Sequence, residues 1–329
     1  MRSHLHITAL LVLGMVAASA VDSGKGTWVP ISDGILAQLA SAGAKVGYPG
    51  ATAGITVDPL SGEVFTVICD QGMWKSADHG ATFARVDNHA IGGRCETGFA
   101  LDSDPAGRRL MGFMIYGDSA LTVDGGASWS KSTLSHLDFG AVDWSAAPAT
   151  SLIAVKHESV GEAVLSKDAG KTWSSLGKGF KQVGIFPGGV LMAGKGDGLQ
   201  RSEDGGMTWT TVAAAKPAGL VMRVRAGVGY WTSEAGVLVS RDSGRTWTVL
   251  GTPVKAYYGP YFSAEEAHLV VVGSGGISET TDGGASWNVV APLPPGFTVG
   301  FTGPNFAWDA KSGMFFASSM GKPAFRFVR

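Results

Sequence analysis

The sequence predicts an all-β fold, a seven-bladed β-propeller of four-stranded blades, on three observations. An eight-residue phrase, Ser/Thr-x-Asp-x-Gly-x-Thr/Ser-aromatic, recurs six times. Its aspartates fall at Asp78, Asp124, Asp168, Asp204, Asp242 and Asp282, a period of about 36 to 46 residues, which is the size of one blade. Half a phrase stands near each end: Gly26-Thr27-Trp28-Val29-Pro30 reads as a strand that follows a phrase, and Ala324-Phe325-Arg326-Phe327-Val328 reads as the third strand of a blade with no phrase after it. Joined, the two halves complete a seventh blade and close the ring, which removes two exposed sheet edges.

The chemistry of the phrase is structural. A short carboxylate followed by Gly makes a tight turn, because it accepts hydrogen bonds from backbone N–H groups two or three residues on, and Gly tolerates the positive φ required. The β-branched Thr and the Trp then open a strand, with the indole free to wedge under the neighbouring blade. The six aspartates are therefore read as hairpin staples and not as catalytic carboxylates.

Taken in order, the chain starts with Met-Arg-Ser-His-Leu-His, an apolar stretch from Ile7 to Ala17 and Ala18-Ser19-Ala20. That is the pattern of a signal peptide over residues 1–20, cleaved near Ala20, and it predicts a secreted or periplasmic protein. No later stretch approaches the roughly 20 apolar residues of a membrane helix. Residues 21–329 are read as one propeller domain, expected to be monomeric. Lys plus Arg number 26 against 27 for Asp plus Glu, so there is no basic excess of the kind nucleic acid binding needs. The 49 glycines suit a chain of many tight turns.

After the half phrase, Ile35 to Ala44 is the one helical segment predicted. Blade one follows, with strands at Gly54–Val57, Val64–Cys69, Met73–Ser76 and Thr82–Val86. Each later blade repeats that order up to Phe306–Asp309 and Met314–Ser318, and Pro292 to Pro295 makes a stiff crossing into the last blade. The hairpins Asp58 to Gly62, Asp102 to Gly107 and Asp309 to Gly313 are read as solvated connections. Cys69 and Cys95 are an even pair in an exported chain, near one rim of adjacent blades, so a disulfide is expected. Neither cysteine has the spacing of a metal site, and no metal or other cofactor is expected.

Function belongs where loops from several blades converge. The loops entering the inner strands and those joining second to third strands share one rim, with the phrases at the opposite end. That rim is expected to receive Asp70, Asp118, His157, Glu158, Lys195 and Glu234 from the latter loops. From the former it should receive Arg94, Glu96, His136, Asp138, Tyr257 and Tyr258. Arg223 and Arg225 lie on an inner strand, where at least one should point into the tunnel. The stretch Gly92 to Gly98 stands out because it packs an Arg, a Glu and a Cys at the tunnel mouth.

The phrase resembles the Asp-box, or BNR, repeat of sialidase-type propellers. That resemblance implies the fold more than any activity. Sialidases hold a carboxylate with three arginines and carry an Arg-Ile-Pro segment that this sequence lacks. Cys69-Asp70-Gln71-Gly72-Met73-Trp74-Lys75 is similar to the Asp-x-Gly-Gly-x-Tyr-Arg segment of xyloglucanase-type glycosyl hydrolases, one residue shorter. Those enzymes draw a second carboxylate from a second propeller. Hydrolysis needs two carboxyl groups roughly 5 to 10 Å apart, and Glu96 is the nearest candidate partner for Asp70. The chain is also similar to the photosystem II stability and assembly factors, which dock proteins through an arginine patch that is not reproduced here.

The expectation is thus an exported, glycan-directed propeller that binds or hydrolyses a polysaccharide at the rim. Asp70 and Glu96 are the catalytic candidates. Arg94, Asp118, His157, Glu158, Lys195, Arg223, Tyr257 and Tyr258 are the ligand-binding candidates, and Trp74, Tyr257, Tyr258 and Phe301 offer ring faces for sugars, with core packing the expected role of Trp74. The alternative is a non-catalytic protein-docking propeller.

Overall fold

The six phrases fold as turns of one geometry. In each, the Ser or Thr two residues before the aspartate donates its hydroxyl to Oδ1, at 2.8 Å for Ser202 and Asp204. Oδ1 also accepts the N–H of the residue four positions on, and Oδ2 accepts that residue's hydroxyl, as Thr208 gives to Asp204 at 2.9 and 2.5 Å. Thr208 is thereby held in the turn, so the outer strand begins one residue after the aromatic, at Thr210, and not with the Thr and Trp themselves. The indoles do wedge between blades: Trp129 Nε1 donates to the Val86 carbonyl of the preceding blade, and Trp173 Nε1 to Ser132 Oγ.

A computed structural model describes residues 25–146, 150–300 and 303–329. The segment read as a signal peptide and Phe301 lie outside the described residues. Seven four-stranded antiparallel sheets form the molecule. Six run in chain order from an inner to an outer strand. The seventh takes its inner three strands from Asn305–Asp309, Met314–Ser318 and Phe325–Phe327, and its outer strand from Trp28–Pro30. Trp28 pairs with Phe327, and Pro30 with Phe325, so the ring closes as the two half phrases predict. The helix Asp33–Ser41 packs Ile35 and Leu39 with Ile68 and Trp74 of blade one. Trp74 is thus core, the role expected of it.

The hairpins at the phrase end differ from expectation. Asp58, Asp104 and Asp309 are buried because each carboxylate caps its own turn, and Asp102 is buried because its carboxylate takes the Val142 N–H and the Arg223 guanidinium. Asp58 accepts from the N–H groups of Leu60 and Ser61, and from that of Arg108 in the next blade. These connections are stapled, not solvated.

Cys69 and Cys95 are free. Both thiols sit in one apolar cluster with Met73 and Met114, and each has its own neighbour: Cys69 Sγ lies 3.9 Å from the Gly50 carbonyl, and Cys95 Sγ lies 3.9 Å from Met114 Sδ. Burial pushes the Cys69 thiol up to about 11 and raises Cys95 as well. The expected disulfide is thus replaced by two protonated thiols that act as small apolar side chains. An even cysteine count carries no information about which way each side chain turns.

The inner strands of all seven blades surround a central channel. At the rim end it is filled by side chains: Tyr258 stacks on Phe99 at 5.5 Å, contacts Phe306 at 5.3 Å, and donates its hydroxyl to the Gly300 carbonyl at 2.7 Å. At the phrase end a cavity of about 710 Å³ remains.

Candidate functional site

On the rim, blades one to three bring together the side chains with the densest polar chemistry. The strand Val64–Ile68 turns through Cys69 to Asp70, which is in the left-handed region at φ 58°, and the Asp70 N–H donates to the Gly93 carbonyl at 2.9 Å. That bond ties the first rim loop to Gly92–Gly98. Arg94 then pairs backbone-to-backbone with Ile115, at 3.1 and 3.0 Å, which brings Tyr116 alongside. The Arg94 guanidinium lies over the Tyr116 ring at 4.7 Å and over the Tyr48 ring at 5.3 Å. Such contacts fix a cation against an aromatic face. Tyr48 is 74% exposed and Tyr116 48% exposed, so both rings also present surface to solvent.

A second chain of contacts runs on from Tyr116. Its hydroxyl is 3.1 Å from His157 Nε2, and His157 Nδ1 is 2.7 Å from Asp138 Oδ1. Asp138 reaches inward because it is the extra residue of a bulge: Leu137 pairs with Lys156 and Phe139 with Val155, which leaves Asp138 unpaired. Burial raises its carboxyl above the ordinary range, and the His157 bond opposes that rise. Glu158 lies 3.6 Å from His157 Nε2 and is exposed.

The two catalytic candidates are placed differently from each other. Asp70 is exposed. Glu96 is drawn toward Arg94, with Oε2 3.7 Å from Nε, and both of those atoms are buried without a hydrogen-bond partner. Glu96 therefore serves Arg94, and its Oε2 is not open to a glycosidic oxygen.

The remaining candidates scatter. Asp118 pairs with Lys131 at 2.6 Å at the edge of the cluster. Lys195 lies over the Phe180 ring at 4.3 Å in blade four, and Tyr257 bonds Glu234 at 3.0 Å in blade five to six. Tyr258 is buried in the channel plug and offers no face to a ligand; burial pushes its phenol up to about 12. Arg223 is not on the rim at all. It points into the channel at the phrase end, where Nη1 bonds Asp102 Oδ1 at 2.5 Å.

Tyr48 and Tyr116 are the residues that sequence reading missed. Tyr116 sits in the second-to-third-strand loop that also carries Asp118, so the rule that found Asp70 and His157 applies to it equally. Tyr48 precedes Pro49 in the loop entering the first inner strand. Among the described residues no group of three or more His, Cys, Asp and Glu side chains is arranged to hold a metal ion.

Fold and rim together define the class: a seven-bladed β-propeller with one rim built around an aromatic-flanked arginine. No family model matches the chain. Over 116 residues it is 34% identical to the Dispase autolysis-inducing protein of Streptomyces mobaraensis. That match spans 33% of this chain and 31% of the relative, so it reaches about a third of the relative's length. Among solved structures, YCF48 bound to D1 peptide superposes with a TM-score of 0.51 at 17% identity, over 87% of this chain and 94% of that one. YCF48 from Cyanidioschyzon merolae gives 0.50 at 14% identity, over 92% and 98%. An ancestral GH74 enzyme gives 0.52 at 15% identity, over 86% of this chain and 46% of the enzyme. At such identities the likeness is one of fold.

Proposed function

We propose that the protein is an exported glycan-binding propeller that holds its ligand at the rim of blades one to three without hydrolysing it. One observation carries this reading: Arg94 is fixed between the rings of Tyr48 and Tyr116, and both rings remain exposed. Exposed rings offer flat apolar faces to sugar C–H groups. Asp70, Glu158 and the edge of Arg94 supply polar groups for hydroxyls around them. Hydrolysis is left out because Glu96 is engaged by Arg94 and the buried Asp138 by His157. Neither is free to work as acid or base with Asp70. Export rests on the pattern of residues 1–20, and sequencing of the secreted product should begin at Val21.

A peptide ligand is the second reading, favoured by the fact that a propeller of this fold has been solved with a peptide bound. Tyr and Arg are also the residues that dominate protein interfaces.

A glycan array on the full chain, followed by reducing-sugar release from each hit, tests the proposal. Binding without release is the expected result, with Tyr48→Ala weakening affinity about tenfold, the loss of one stacked ring. The exposed position of Tyr48 keeps the fold intact in that variant. A properly folded protein that binds no glycan, but retains a peptide through Tyr48, would establish the second reading instead. Steady release of reducing ends would restore the hydrolase.

A further inference from the structure

The geometry points to a second binding site, independent of the rim: the channel cavity at the phrase end, shaped for a small amphipathic organic anion with an aromatic or alkyl body. The cavity of about 710 Å³ has the size of small-molecule pockets. It is a dead end. The Tyr258 and Phe99 stack fills the channel above it, and the first hairpins of the blades frame its mouth.

Its wall is chiefly apolar, with Ile55, Leu101, Ile185, Met222, Phe306 and Trp308 contributed by five different blades. Burial of an apolar body against such a wall is favourable at about 25 cal/mol per Å². Two polar features stand inside. The Arg223–Asp102 pair is internally neutralised, and Asp102 Oδ2 also accepts the Val142 N–H at 2.9 Å. Tyr261 lines the cavity beside them, and its hydroxyl makes no hydrogen bond to a described residue. Burial raises its phenol, so it remains a donor.

The mouth decides the sign of the ligand. Of the four cationic side chains lining the cavity, Arg109 is paired with Asp104 and Arg223 with Asp102. Arg225 and Lys311 bond only backbone carbonyls: Arg225 reaches Ala264 and Glu265 at 2.9 and 3.1 Å, and Lys311 reaches Leu60. Among the residues that line the cavity, the carboxylate not paired with an arginine is Asp143, whose oxygens are taken by Ser145 and the Gly188 N–H. An acidic headgroup held at Arg225 and Lys311, with its apolar body directed inward and an acceptor within reach of Tyr261, satisfies each of these groups.

The full chain is titrated with 1-anilinonaphthalene-8-sulfonate, followed by fluorescence and calorimetry, and decanoate is added as competitor. The expected result is one site per chain, displacement by decanoate, and weakening as salt screens the mouth. Ala141→Trp, which fills the cavity from its wall, should abolish binding. Arg225→Gln should weaken it about tenfold, the value of one charge-assisted contact. The arginine variant lies at the surface and keeps the test sound should the tryptophan variant fail to fold. Absence of saturable binding, or binding that neither Arg225→Gln nor decanoate affects, overturns the site.

Discussion

At the scale of single residues, the six turn aspartates show a carboxylate working as a fastener. The hydroxyl and N–H of Thr208 hold the Asp204 carboxyl down to about 2, and Thr172, Ser286 and Ser128 do the same for Asp168, Asp282 and Asp124. Each folded-state value lies below the unfolded value of about 3.9. Their stabilisation is therefore present above about pH 4 and is lost as pH falls through about 2. Acid melts should show that loss, and an Asp204→Ala variant should lie about 2 °C lower in Tm at neutral pH, with glycan affinity unchanged. Selective loss of binding in that variant would mean that the functional rim had been assigned to the wrong end. The two thiols make a second prediction: a disulfide reagent should find none in the native chain and two after denaturation, because both are buried. How far such facts are legible depends on reach. The role of Asp204 could be read because all its partners lie within four residues. The roles of Cys69 and Cys95 could not, because they depend on the packing of Met114 and Gly50.

Among the elements, ring closure and the blade-three bulge mark the two extremes of what a sequence discloses. Closure follows from patterning alone: Gly26 to Pro30 lacks a preceding blade, Phe325 to Val328 lacks a following phrase, and free edges are costly. The structure adds how the join is tightened. Trp28 packs on Phe327 at 5.3 Å, and its Nε1 donates to the Pro292 carbonyl at 2.9 Å. Trp28→Ala should cost about 3 kcal/mol, the lower end for truncating a packed aromatic, and thermal melts of the full chain would read it as a lowered Tm. A Tm unchanged within error would show that closure does not rest on that indole. The bulge at Asp138 leaves no such trace, since nothing in the stretch from Leu137 to Asp143 says which residue will be extra. Because the bulge turns Asp138 toward His157, the Asp138–His157–Tyr116 chain was out of reach of sequence reading, although the loops that carry it were not. The same limit separated Arg223 from the rim: its place on an inner strand was legible, and its depth along the channel was not.

For the whole molecule, the plug formed by Tyr258 divides one channel into two chemically distinct ends. Tyr48→Ala should then leave binding of the anilinonaphthalene probe at its wild-type affinity, and Arg225→Gln should leave glycan binding untouched. Parallel titrations of both variants check this, and cross-talk in either direction would mean that the plug moves. The seam in blade seven has a consequence of another kind. Lys25 bridges Val328, and the Gly26 N–H donates to the Val328 carbonyl at 2.7 Å, so the two ends of the described chain lie side by side in one sheet. A few glycines could join them, and the chain could be reopened at Gly188-Gly189, a hairpin tip where an added Cβ at either glycine would meet open space. Such a circular permutant moves the seam from blade seven to the hairpin of blade four. The order in which the blades are synthesised is then separable from the order in which they stand around the axis.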